Sequence, residues 1–120
     1  MPGRTLPTRI LLDQNTPLGL RRALPGYEVI PARGMGWATI ENGELIRAAE
    51  KAGFAILITC DRNIRYQQNL TGRKLAFVVL GSNIWPVVRD HGAAIAAKVD
   101  AATPGSYEFI EMPLPPKQER

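Results

Sequence analysis

Disulfide-built and zinc-built folds are both closed to this chain, because it has one cysteine, Cys60, and one histidine, His91. A single thiol cannot form an internal bridge. One Cys with one His cannot make up a Cys/His zinc cluster. A resident metal would have to rest on carboxylates, which favours Mg²⁺ or Mn²⁺. No apolar run reaches the roughly 18 residues that a membrane span requires, so no membrane partner is expected. The apolar run at Ile10 to Leu12, with its neighbours, is too short for a signal-peptide core. A cytoplasmic location is therefore expected. Neither a Walker loop nor a Gly-x-Ser-x-Gly elbow is present. Gly34-Met-Gly36 lacks the third glycine of a dinucleotide fingerprint and reads as a loop.

What is present suits one globular domain. The chain has 120 residues, 45% of them hydrophobic, enough to bury roughly two thirds of its unfolded surface. Thr8–Leu12, Tyr27–Ile30, Ala55–Thr59, Leu75–Leu80 and Tyr107–Ile110 read as strands. The third and fourth are apolar throughout, as strands covered on both faces are. Between them the pattern predicts a short helix after Pro17, stopped by Pro25-Gly26. A helix capped by Asn42 follows, carrying Leu45, Ala48, Ala49 and Ala52 on one face and ending at Gly53. A loop from Asp61 to Asn69 is expected to become a short helix, and a long helix to run from Pro86 to Ala102. Strands alternating with helices predict an α/β domain over residues 1–112, with a mainly parallel sheet of four to five strands between helical layers. Residues 113–120 read as a frayed tail. The economical switch point lies near the first and third strands.

In such sheets ligands sit beyond the carboxyl ends of the strands at the switch point. That rule selects Asp13, Gln14 and Asn15 after the first strand, and Thr59, Asp61 and Asn63 around the end of the third. Neighbouring strands about 4.8 Å apart would bring Asp13 and Asp61 into one crevice. Two close carboxylates repel unless a divalent cation lies between them or one is protonated. The plainer alternative is that each aspartate caps the helix after it. Glu44 could bring a third carboxylate to the same edge, or only complement the helix dipole. Cys60 reads as a small hydrophobe packed beside the crevice. From Asp61 to Lys74, four cations (Arg62, Arg65, Arg73 and Lys74) surround Tyr66 and outnumber one acid. Basic residues beside an acidic crevice suit a phosphate backbone held over a metal. A solvated helix face is the simpler account of the same run.

Ile10-Leu-Leu-Asp-Gln-Asn15, Gly43-Glu-Leu-Ile-Arg-Ala-Ala49 and Ile58-Thr-Cys-Asp-Arg-Asn63 resemble, in order and spacing, the PIN-like family of small prokaryotic proteins. The likeness runs from about Arg9 to Val99. It implies a three-layer αβα PIN-like fold whose carboxyl edge carries acids that bind Mg²⁺ or Mn²⁺. It also implies a metal-dependent ribonuclease acting on RNA, the toxin of a toxin–antitoxin pair with an antitoxin protein as partner. A homodimer is compatible with the same reading. By position Asp13 matches the first family acid, Glu44 the helix Glu and Asp61 the third acid. Asn42 and Asn63 stand where the family has Asp, Gln14 replaces a frequent Glu, and Ile64 replaces the usual Phe. Carboxamides hold a divalent ion less strongly than carboxylates, so one ion is expected rather than two. Asp13, Glu44 and Asp61 are then the candidate catalytic and metal-binding residues. Asn15, Asn42, Thr59 and Asn63 are the supporting ones, and Arg62, Arg65, Tyr66, Arg73 and Lys74 would contact RNA. The rival reading is a catalytically degenerate PIN-like module that binds RNA or a partner protein. A phosphoryl-accepting receiver would need an acidic pair after the first strand and a Lys after the fifth. Here Gln14 follows Asp13, and no Lys follows Ile110 until Lys117.

Overall fold

Residues 8–64 and 73–113 are described by a computed structural model. Arg65, Tyr66, the helix expected to reach Asn69 and the tail beyond Pro113 lie outside them. Five strands, β1 (Arg9–Leu12), β2 (Glu28–Pro31), β3 (Ile56–Thr59), β4 (Ala76–Leu80) and β5 (Tyr107–Ile110), form one sheet in the order β2-β1-β3-β4-β5. Every pairing is parallel. The order reverses between β1 and β3, so the switch point falls there.

The apolar strands alternate their side chains between two cores, as a period of two requires. Ile10, Leu12, Ile56, Ile58, Val78 and Leu80 pack on one face with Leu20, Leu24, Val88, Ile95 and Val99. Leu11, Leu57, Phe77 and Val79 pack on the other with Leu45, Ile46, Ala49, Phe54 and Ile64. The result is three layers. The second face is covered by helix α1 (Asn42–Lys51), whose buried residues are Leu45, Ile46 and Ala49. Gly53 ends α1 at φ +88°, a left-handed conformation that only glycine adopts without strain. The first face is covered by a 3₁₀ helix, Leu18–Ala23, and by helices α2 (Trp85–Asp90) and α3 (Gly92–Ala101).

Three local expectations change. Asn42 is the first residue of α1 rather than its cap; Glu41 precedes the helix and makes no side-chain capping bond. The segment after Pro17 winds as a 3₁₀ helix, and Trp85 lies so close to Gly19 that a Cβ there would be 2.8 Å from the indole. The long helix from Pro86 is broken at His91, where φ is −101° and ψ 15°. His91 Nδ1 is 2.9 Å from the carbonyl of Val87, and Gly92 lies against Ala23, 3.2 Å from where its Cβ would stand. The break lets both helices pack on the 3₁₀ helix, which an unbroken rod would meet only once. Among the described residues no helix is long and apolar enough to cross a membrane.

Candidate functional site

The strand register builds the site. Leu12 pairs with Ile58, and the Asp13 N–H continues that ladder to the Ile58 carbonyl at 2.9 Å. Asp13 therefore stands level with Thr59. By alternation both side chains turn to the α1 face of the sheet, together with Leu11 and Leu57. The Thr59 hydroxyl is fully buried. It donates to Asp13 Oδ2 at 2.7 Å and accepts the Asp61 N–H at 3.1 Å. One oxygen atom thus joins the Asp13 carboxylate to the Asp61 backbone at the end of β3.

The remaining carboxylate oxygens are also engaged. Asp13 Oδ1 accepts the Gln14 N–H at 2.7 Å. Asp61 Oδ1 accepts the Asn63 N–H at 2.9 Å, which closes the turn after β3, and Asp61 Oδ2 accepts the Asn42 amide at 2.8 Å. Capping therefore accounts for part of Asp61. It does not account for Asp13, because the 3₁₀ helix that follows has Pro17 at its start and no side-chain capping bond. The first turn of α1 delivers Asn42 to this edge, where its side chain serves Asp61 instead of a helix terminus.

These groups line a cleft of about 540 Å³. Asp13, Gln14 and Asn15 form one side and Thr59, Cys60 and Asp61 the floor. Ala38, Ile40 and Asn42 form a second side, and Gly81, Ser82 and Asn83 a third. The Gly81–Asn83 loop was not singled out from the sequence. The signal was there, since it follows the fourth strand and falls under the same carboxyl-edge rule. Cys60 is half-buried and donates its thiol to the Ser82 carbonyl at 3.4 Å. Burial pushes this thiol above its ordinary range; contact with the Thr16 hydroxyl lowers it in part, and the Asp13 carboxylate raises it again. It stays protonated at neutral pH and is no thiolate nucleophile.

No family model, curated protein or solved structure matches the chain.

Not every candidate reaches the cleft. Glu44 lines a neighbouring depression with Glu41 and Arg47, which shares Ile40 with the cleft. The side of the cleft near Asp61 carries Asn42 instead of a third carboxylate. Arg62 is exposed on the lip, its Nη2 donating to the Gly81 carbonyl at 3.1 Å. Arg73 and Lys74 precede β4 and so stand at the amino edge of the parallel sheet. There the Glu50 carboxylate receives the Arg73 guanidinium at 3.4 Å and the N–H groups of Lys74 and Leu75. Asn63 supports Asp61 through its backbone.

The donor set decides which metal could fit. Asp13, Asp61 and Thr59 offer hard oxygens, and each carboxylate oxygen that accepts one hydrogen bond keeps a second lone-pair direction. Two carboxylates suit one Mg²⁺ or Mn²⁺, an ion that keeps several waters. Among the described residues no group of three or more His, Cys, Asp or Glu is placed to hold a metal.

Proposed function

We propose that the cleft is the active site of a PIN-like ribonuclease that uses one divalent cation, held by Asp13 and Asp61, to hydrolyse single-stranded RNA. The observation that carries this reading is that two half-buried aspartates line one cleft at the switch point, with Thr59 tying the Asp13 carboxylate to the Asp61 backbone. When bound, Mg²⁺ or Mn²⁺ supplies Lewis-acid stabilisation of charge on a phosphodiester. Thr59 fixes the Asp13 carboxylate and Asn42 fixes that of Asp61, so neither has to reorganise when substrate arrives. Arg62 draws the strand's phosphates to the lip. Glu44, in the neighbouring depression, is assigned no ligand role. The toxin half of a toxin–antitoxin pair is the setting that the family resemblance implies.

A second reading is favoured by the engagement of the aspartates with the protein itself. All four carboxylate oxygens accept a hydrogen bond from the protein, and an amide stands beside Asp61. That arrangement suits a module that binds RNA or a partner protein without cutting it.

Two measurements separate the readings. Mn²⁺ at saturating concentration should raise the melting temperature by about 4 °C or more through linkage, and Asp13→Ala should abolish the rise. Single-stranded RNA should be cleaved in Mn²⁺ by the wild-type chain and not by Asp13→Asn or Asp61→Asn. Absence of a metal-dependent shift, or equal cleavage by those variants, rejects the nuclease.

A further inference from the structure

Arg62 does more than project a charge. Its guanidinium carbon lies 5.2 Å from the centroid of the Phe109 ring, and Nη2 is tied to the Gly81 carbonyl. Phe109 sits on β5 at the sheet edge and is 38% exposed, one of three large apolar side chains left in solvent among the described residues. Gly81 lies beside the ring: a Cβ there would stand 3.4 Å from Phe109 Cζ, an ordinary contact distance. Gly81 is also part of the cleft wall, and Arg62 follows Asp61 directly in the chain. A guanidinium fixed by the Gly81 carbonyl thus lies over an exposed aromatic ring at the lip of the acidic cleft, with Phe109 backing Arg62.

Guanidinium faces are weakly hydrated and stack on planar π systems. The bond from Nη2 to the Gly81 carbonyl fixes the plane of the guanidinium, while its charge still draws phosphates to the lip. A flat, half-apolar surface is what an unstacked base of a single strand seeks. We propose that Arg62 and Phe109 form a stacking platform for one nucleobase of a single strand whose backbone crosses the Asp13–Asp61 cleft. The assignment rests on the reading of the cleft as a site for single-stranded RNA and names how that strand is held.

The test compares a short fluorescein-labelled oligoadenylate with an abasic strand of the same length, by anisotropy on the full chain, in chelator and in Mn²⁺. The wild-type chain should bind the base-bearing strand roughly five- to a hundred-fold tighter. Phe109→Leu should reduce that preference to within about two-fold, and so should Arg62→Lys, which keeps the charge and therefore the salt dependence but loses the plane. A wild-type chain without base preference in either condition overturns the platform, and that result needs no variant to fold. Retention of the preference by both variants, each melting like the wild type, overturns it as well. In chelator, cleavage does not enter the readout. Base preference without a Mn²⁺-dependent melting shift keeps the platform and rejects the metal site; the shift without base preference does the reverse.

Discussion

The hydroxyl of Thr59 occupies a position where one atom ties the Asp13 carboxylate to the Asp61 backbone. Replacing it with Val keeps the β-branched shape but leaves Asp13 Oδ2 and the Asp61 N–H without their partner. A polar group stranded in this way costs about 1–3 kcal/mol. Thr59→Val is therefore expected to lose roughly 2 kcal/mol in urea denaturation and to weaken the Mn²⁺-dependent rise in melting temperature. Thr59→Ser, which keeps the hydroxyl, should recover most of the metal response. An unchanged response in Thr59→Val would mean that the aspartates are positioned by something else. Asn42 carries a similar lesson. Its residue type alone suits a helix cap, and only its neighbour across the cleft reveals that it serves Asp61.

Elements show which parts of the fold were readable locally. β1, β3 and β4 could be read from short continuous apolar runs, β5 from alternation and α1 from helical spacing, because each carries its buried residues within a few positions of one another. The break at His91 could not, since Val87, Val88, Ile95 and Val99 keep helical spacing across it. It is decided by the close approach of Gly92 to Ala23, a contact with a distant element. Gly81 is a comparable case at the end of β4. A Cβ there would stand 3.0 Å from the Met112 nitrogen and 3.1 Å from the Ile110 carbonyl. Both are backbone atoms, so relief requires β4 and the end of β5 to separate. Gly81→Ala is expected to cost about 1–3 kcal/mol by such overpacking and to loosen the lip that Arg62 grips. Thermal melting and hydrogen exchange of the β5 amides will show it. A variant with wild-type stability and exchange would mean that the loop yields without strain.

At the scale of the whole molecule, position in the fold outweighs charge count. Four ion pairs occur among the described residues, and they are not equivalent. Glu50 is 19% exposed and also accepts two backbone N–H groups ahead of β4. Glu108 is 42% exposed and meets only Lys98. Glu50→Ala should therefore cost about 2 kcal/mol, whereas Glu108→Ala should stay within about 0.5 kcal/mol. Equal losses in paired urea melts would contradict this ranking. The run of cations from Arg62 to Lys74 is divided by the same geometry. A parallel sheet must return the chain to its starting edge between strands. Arg73 and Lys74 thus stand about 15 Å, a strand's length, from the lip where Arg62 lies.

Local chemistry determined the alternation of strands and helices, the two-sided burial of β3 and β4, and the arrival of Asp13 and Asp61 just past strand ends. Each of those is encoded by residues within a few positions of one another. Tertiary packing alone decided the strand order, the pairing of Asn42 with Asp61, the exclusion of Glu44 from the cleft and the meeting of Arg62 with Phe109. Those contacts depend on register and on how α1 and β5 settle against the sheet. Sequence periodicity reports which side a residue faces, not which distant residue will be there to meet it.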